Sequence, residues 1–276
     1  MAITAEQVKL LREKTGAGMM DCKKALTESN GDYEMAIESF RKKGQKVSAS
    51  RADRHASEGC IYIQTNPATT EACLIALNCE TDFVAKNGEF RNLGNSIMDA
   101  VIREKPADIE SIKKLKLGDK TIGDKIIELV GKIGEKIELS KFETIRGEKV
   151  VSYIHSNSKL GVLVSLKGVA GADVEEAGRN VAMQIAAMSP VAVDRNDVDP
   201  KIIEKEIEIG KEQARAEGKP EAMLEKIALG KLNKFYKEST LMNQDYVRDN
   251  SMTIAAYLDS VKKGLTVAAF KRIAIG

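Results

Sequence analysis

Few residues in this chain are of a type that makes or breaks bonds. There are two histidines, His55 and His155, and four cysteines, Cys22, Cys60, Cys73 and Cys79. No two cysteines form a C-x-x-C pair, and two histidines are too few to complete a structural zinc site beside them. His155 stands in no nucleophile motif, and neither histidine has the partners that acid–base work needs. Gly16-Ala17-Gly18 begins like a phosphate-cradling G-x-G-x-x-G, but Asp21 takes the third glycine position and no strand pattern precedes it. No Walker motif is present, and carboxylate pairs fall only on helices that read as solvated. These residues make no positive case for an enzyme, and no cofactor or metal is expected. The chemistry they do suggest is contact. Asn78-Cys79-Glu80-Thr81-Asp82-Phe83-Val84-Ala85-Lys86-Asn87 sets an acid beside a large aromatic, in a chain with six Phe, six Tyr and no Trp. A hydrophobe at such a corner either packs underneath or projects into a partner. In the first case Thr81 or Asp82 caps the next helix while Phe83 and Val84 fill the core.

The elements around this segment set the choice. The apolar run Ala72 to Leu77 reads as a buried strand, and a helical pattern begins near Glu89. Cys73 and Cys79 on that strand read as small core residues. A hairpin-then-helix pattern occurs twice, offset by roughly 90 residues. Residues 57–63, a turn at Asn66-Pro67, Ala72–Leu77 and the helix Phe90–Ile102 form the first copy. Residues 146–154, a turn at Asn157-Ser158, Gly161–Leu166 and the helix Ala177–Met188 form the second. The first copy adds a helix over Ile122–Ile133 and a strand over Lys136–Ile145. The second is interrupted by Asp199-Pro200, a strong helix start. There Ile203, Ile207 and Ala214 face Leu224, Ile227, Ala228, Leu232 and Phe235 across a Gly218-Lys219-Pro220 turn, an antiparallel helical hairpin.

Residues 1 to about 44 read as three short helices. Thr4 and Gln7 form a capping box, Val8, Leu10 and Leu11 supply an apolar face, and Gly16 ends the first helix. The second runs from about Met20 to Ser29. Asp32 caps the third, where Met35, Ala36, Ile37 and Phe40 recur at helical spacing before Gly44. The tight connections resemble ubiquitin-associated domains, which bind proteins. Residues 41–54 read as a basic linker, with Arg41, Lys42, Lys43, Lys46, Arg51 and Arg54 against Asp53 alone. A solvated hinge, an acidic partner and RNA all fit such a segment, although no aromatic interleaves the charges.

Composition narrows the class. A length of 276 residues suits two or three modules. No apolar run approaches the ~18–20 residues needed to span a bilayer. Met1 to Glu6 lacks the basic and apolar regions of a secretory signal, so a cytoplasmic protein without membrane contact is expected. With 43 basic and 41 acidic residues the net charge is only +2. That balance, with so few aromatics, weighs against direct nucleic-acid binding. The helical hairpin carries equal numbers of acids and bases, as an ion-paired solvated element does.

Two motifs, Thr15-Gly16-Ala17-Gly18-Met19-Met20-Asp21-Cys22-Lys23-Lys24-Ala25-Leu26 and Thr81-Asp82-Phe83-Val84-Ala85-Lys86-Asn87, resemble the signatures of elongation factor Ts, in the family's order. The resemblance covers most of the chain. It implies an α+β fold: a three-helix, ubiquitin-associated-like domain with its linker (1–54), then a core N-subdomain (55–146) and a core C-subdomain (147–276). The C-subdomain carries the hairpin insertion at about 197–238. The resemblance implies a guanine-nucleotide exchange factor for elongation factor Tu, in its GDP-bound and nucleotide-free states. By the same likeness Thr81, Asp82, Phe83 and Val84 displace Mg²⁺ in the partner, with Phe83 as a wedge. Arg12, Met19, Met20, Ile133, Gly134 and His155 fall on further partner contacts. Adjacent methionines cannot share one helical face, so at least one of Met19 and Met20 is expected to be available. Dimerisation, a partner contact and a purely structural role are the readings of the hairpin. Some members carry a further C-terminal helix. The segment Phe270 to Gly276 reads instead as the final core strand, so that contact is expected to be missing. The rival readings are a protein-binding adaptor using the three-helix module, and a ribosome- or RNA-associated protein using the basic linker.

Overall fold

The N-terminal helices begin where local chemistry places them. The N–H of Gln7 donates to Thr4 Oγ1 at 3.2 Å and the N–H of Thr4 donates to Gln7 Oε1 at 2.9 Å, a capping box that starts α1 (Ala5–Thr15). Gly16 ends α1 in the left-handed region at φ 64°. Helix α2 (Met19–Glu28) follows, and Asp32 caps α3 (Tyr33–Ser50) by accepting from the N–H groups of Glu34 and Met35. The computed structural model describes residues 3–276; Met1 and Ala2, where the sequence-based N-terminal module begins, lie outside them. Val8, Leu11, Cys22, Ala25, Leu26 and Ala36 form the small core of these three helices. Leu10 and Met35, expected on the buried faces, are exposed.

The third helix departs from expectation. It runs through Gly44 to Ser50, so most of the expected linker is helical. Glycine lowers helix propensity by about 1 kcal/mol, and packing here outweighs that. A Cβ on Gly44 would lie 2.9 Å from the carbonyl oxygen of Ile127, and one on Gly131 would lie 2.7 Å from Gly44 Cα. The two glycines let α3 approach the helix Ile122–Ile133 backbone to backbone. Basic side chains of the segment also find local partners: Arg41 pairs with Asp124 at 2.9 Å, Lys42 with Glu38 at 2.9 Å, Lys43 with Asp21 at 3.0 Å and Arg54 with Glu80 at 2.9 Å.

The remaining elements are, in order, β1 (Glu58–Thr65), β2 (Glu71–Cys79), α4 (Asp82–Ala85), α5 (Gly88–Glu104), α6 (Ile109–Lys114), β3 (Lys116–Leu117), β4 (Lys120–Thr121), α7 (Ile122–Ile133), β5 (Ile137–Arg146), β6 (Lys149–Ile154), β7 (Leu160–Lys167), α8 (Glu175–Met188), α9 (Pro200–Ala216), α10 (Glu221–Ser239), β8 (Asp245–Tyr246), β9 (Asp249–Thr253), α11 (Ile254–Val261) and β10 (Thr266–Ala274). The fold is α+β. Two three-stranded sheets have the orders β1-β2-β5 and β6-β7-β10. In each, the second strand of a hairpin is central and a strand that arrives after a helix completes the sheet. The duplication read in the sequence is therefore a duplication of topology, with β5 and β10 as the third strands.

The chain divides into two compact units. One comprises residues through Gln64, Leu74–Phe142 and Ile275–Gly276; the other comprises Thr65–Cys73 and Glu143–Ala274. Every residue of β2 is buried, and its Leu74–Cys79 stretch belongs to the first unit. Helix α7, started by Thr121 and ended by Gly134 at φ 84°, packs on α3. In the second, β7 is central between β6 and β10, both antiparallel to it, with a bulge between Val267 and Ala269. Helix α8 lays Ala177, Val181, Ala182 and Ile185 on Val151, Val162, Val164 and Leu166. The helical hairpin closes tightly where Gly210 meets Ala228. At its base Gln244 donates to the carbonyl of Glu238 at 2.9 Å, and the buried Gln184 accepts from the N–H of Val247 at 3.0 Å and donates to Gln244 Oε1 at 3.1 Å.

Widening the α3–α7 contact should be costly. Gly131→Val forces a branched side chain onto the Gly44 backbone, and overpacking of this kind costs about 1–3 kcal/mol. Urea unfolding of the full chain checks the loss, and hydrogen exchange should place it in α3 and α7.

Candidate functional site

The corner after β2 is built from contacts that leave one side chain out. Thr81 caps the one-turn helix α4: its Oγ1 accepts from the N–H of Val84 at 3.4 Å. Val84 points inward and is 7% exposed, whereas Phe83 is 81% exposed. The core reading of this segment therefore holds for the Thr81 cap and for Val84, but not for Phe83. Asp82 lies on the surface, where its carboxylate accepts from Lys86 Nζ at 2.7 Å. That hydrogen bond holds the Asp82 carboxyl below the usual carboxylate range, so Asp82 is negative at neutral pH. Asn87 then caps α5, so the long helix starts one turn later than the corner itself.

The turn is braced from several sides. The N–H and hydroxyl of Thr81 donate to the two carboxylate oxygens of Glu135, at 3.1 and 2.8 Å. The neighbouring Glu80 accepts from the N–H of Lys136 at 2.7 Å and from Arg54 Nη1 at 2.9 Å. Cys79 Sγ donates to the carbonyl of Thr81 at 3.1 Å, while Cys60 Sγ (3.4 Å) and Arg91 Nε (3.1 Å) donate to the carbonyl of Ala85. Burial, reinforced by the Glu135 carboxylate, pushes the Cys79 thiol up to about 12. It stays protonated and acts as a donor, not as a nucleophile. Burial likewise raises Tyr62, whose ring lies against Gly94.

The other sequence-derived positions fall on both units. Arg12 is exposed on the last turn of α1. Met19 and Met20 open α2 at 60% and 76% exposure, so both are free of the core. Ile133 is half-buried at the end of α7, and Gly134 takes the left-handed conformation that ends the helix. These residues share the first unit with Thr81–Val84, and Glu135, next to Gly134, accepts from Thr81. His155 belongs to the second unit, just past β6. It is exposed, and its Nδ1 lies 2.9 Å from the Tyr153 hydroxyl. Its N–H donates to the carbonyl of Leu160, closing the β6–β7 hairpin.

Glu80 and Glu135 were not singled out by sequence reasoning. Acids are common in this chain, and only the meeting of β2 with the α7–β5 corner reveals their partners. A cavity of about 300 Å³ in the first unit has an apolar floor that includes Ile37, Phe40 and Ile127. Of the acids that line it, Asp21, Asp124 and Glu128 are paired with Lys43, Arg41 and Lys120. No histidine or cysteine lines it. Among the described residues no three His, Cys, Asp or Glu side chains are grouped to hold a metal ion, and no helix is long and apolar enough to cross a membrane.

The opposed burial of neighbours makes a direct test. Phe83→Ala should leave the unfolding free energy within about 0.5 kcal/mol of wild type, as surface substitutions do. Val84→Ala should lower it by about 1–3 kcal/mol through loss of buried methyl groups. Parallel denaturant titrations of the two variants check both values.

Comparison with known proteins identifies the family. The family described as Elongation factor TS matches residues 80–276, more than half of the chain. Elongation factor Ts of Cytophaga hutchinsonii is 59% identical over 274 residues, covering 99% of each chain. That of Amoebophilus asiaticus is 52% identical over 276 residues and the whole of both chains. That of Christiangramia forsetii is 50% identical over 275 residues, again 99% of each. The chain therefore belongs to the elongation factor Ts family of translation elongation factors.

Proposed function

We propose that this chain is a guanine-nucleotide exchange factor that binds elongation factor Tu–GDP and speeds release of GDP by disturbing the partner's Mg²⁺ and phosphate site. The observation that carries the reading is a phenylalanine 81% exposed on a braced turn, inside the motif that resembles the family's exchange segment. An exposed Phe has no stabilising role where it stands. Entering an apolar gap between partner helices would gain ~1.5–3 kcal/mol of burial.

Linkage states what such a protein must do. It must bind the nucleotide-free partner more tightly than the GDP-bound one, and by reciprocity it then weakens GDP binding by the same factor. Nucleotide sites depend on a positioned Mg²⁺ and a phosphate-binding loop, so parting the helices that support them is sufficient. In this reading Phe83 is the wedge and Asp82 stands beside it. Thr81 and Val84 anchor the turn from within. Arg12 with Met19 and Met20 supplies a charged and a flexible apolar contact on the N-terminal module. Ile133, Gly134 and His155 add contacts of their own. In this reading the protein makes and breaks no covalent bond, needs no cofactor, acts in the cytoplasm and binds no nucleic acid directly. The helical hairpin is available for self-association. The RNA-linker reading is disfavoured because Arg41, Lys42, Lys43 and Arg54 are engaged with carboxylates of the same chain.

Stopped-flow release of fluorescent GDP from elongation factor Tu tests the proposal. Wild type should accelerate release strongly, and Phe83→Ala should lose about 1.5–3 kcal/mol of that effect, about ten- to hundredfold in rate. No acceleration by wild type with a matched partner would return the adaptor reading to first place.

A further inference from the structure

Helix α4 spans only four residues, from Asp82 to Ala85. A single helical turn fixes several backbone dihedrals for very few hydrogen bonds, so it has no stability of its own. What orients Phe83 must therefore come from outside the turn. Two sets of contacts do so. Cys79, Cys60 and Arg91 donate to its carbonyls and hold the accepting side. On the donating side the long-range contact is Glu135, 54 residues away in sequence, which takes both the N–H and the hydroxyl of Thr81.

The hydroxyl contact has a directional consequence. Thr81 Oγ1 carries one hydrogen. Giving it to Glu135 Oε1 leaves its lone pairs to receive the N–H of Val84, which is the cap of α4. One carboxylate thus sets the hydroxyl rotor, the cap and the first backbone N–H together. Glu135 is itself placed by Gly134, whose φ of 84° turns the chain out of α7 and towards the end of β2. The adjacent contact is its mirror: Glu80 takes the N–H of Lys136 as Glu135 takes the N–H of Thr81.

We infer that Glu135 is a positioning residue for Phe83, holding the turn in one orientation in the free protein so that the aromatic is presented already ordered. The inference deepens the exchange reading and rests on it for the functional consequence, although the ordering itself is a property of the free chain. Pre-ordering matters because a side chain that must be immobilised on binding gives up part of its interaction energy. Without Glu135, Thr81 loses two hydrogen bonds to a carboxylate and its hydroxyl is free to rotate away from Val84. The wedge step weakens, while the surface carried by Arg12, Met19 and Met20 is untouched.

Two measurements on the full chain test this. In the first, ¹⁵N relaxation gives backbone order parameters for residues 82–85 without any partner. The wild-type values should be those of a rigid backbone, about 0.85, and Glu135→Ala should drop them towards about 0.6 or below. Unchanged order in the variant overturns the inference, whatever the exchange assay shows. In the second, the release of fluorescent GDP from elongation factor Tu is followed in a double-mutant cycle. Glu135→Ala should lower the maximum release rate by about tenfold, as expected for losing a pair of charge-assisted hydrogen bonds. The half-saturating concentration should change little. In the Phe83→Ala background the same substitution should have little further effect, because the group it positions is gone. Equal losses in both backgrounds would mean a general structural role and would overturn the assignment. Glu135→Gln keeps one acceptor and should recover part of the rate; it also carries the cycle if Glu135→Ala unfolds at the assay temperature. Failure of wild type to accelerate GDP release from elongation factor Tu sinks the exchange reading, and the order parameters still decide the clamp.

Discussion

A four-residue helix cannot hold itself together in water, and the candidate site of this protein is carried on one. The rest of the first unit can be understood as the means of fixing that turn. Strand β2 is buried along its whole length and ends at the corner, so the entry to the turn is rigid. Helix α7 ends at Gly134 beside it. Between them the carboxylates of Glu80 and Glu135 each take the backbone N–H that follows the other. Thr81 needs such a partner because its N–H lies outside both the sheet and the helix. Two buried thiols complete the brace on the carbonyl side. Burial pushes the Cys79 thiol up, which suits it to donate a hydrogen bond.

The same helix that ends at the corner also receives the N-terminal module. A core of six buried residues is small for three helices, and the contact of α3 with α7 supplies burial the module lacks alone. Gly44 and Gly131 make that contact possible by removing side chains where the backbones cross. The exposed methionines at the start of α2 and the exposed Phe83 thus belong to one unit connected through α7. A partner engaging both would meet surfaces whose spacing is set by packed helices, not by a flexible tether.

Much of this was legible in the residues. Thr4, Gln7, Gly16 and Asp32 marked helix ends because capping is local chemistry, and the structure places the caps there. Asp199-Pro200 and Gly218-Lys219-Pro220 framed the helical hairpin for the same reason. The helix read over Ile122–Ile133 is α7 as observed. Gly44 misled because a glycine that stops a helix and one that admits a neighbour look alike in sequence; only the approach of Gly131 distinguishes them. Leu10 and Met35 misled because three short helices have more apolar residues than their small core can take. Phe83 and Val84 could not be separated by composition. Their opposite fates follow from the direction of one helical turn, which is fixed by Glu135 from a distant part of the chain. The third strands β5 and β10 were readable as strands, but their places beside β2 and β7 are long-range facts.

The chain contains no tryptophan, so in the free protein a single one at position 83 would report on that site alone, and in the complex it is read after subtraction of the partner's own emission. The fluorescence of Phe83→Trp, alone and with nucleotide-free elongation factor Tu, tests the central claim most directly. The account predicts the emission of a water-exposed indole with high anisotropy in the free protein, and a shift to the blue when the partner binds. Blue emission already in the free protein would mean that the side chain is buried. An unshifted spectrum in a demonstrated complex would mean that residue 83 does not enter the partner, and either result would contradict the wedge.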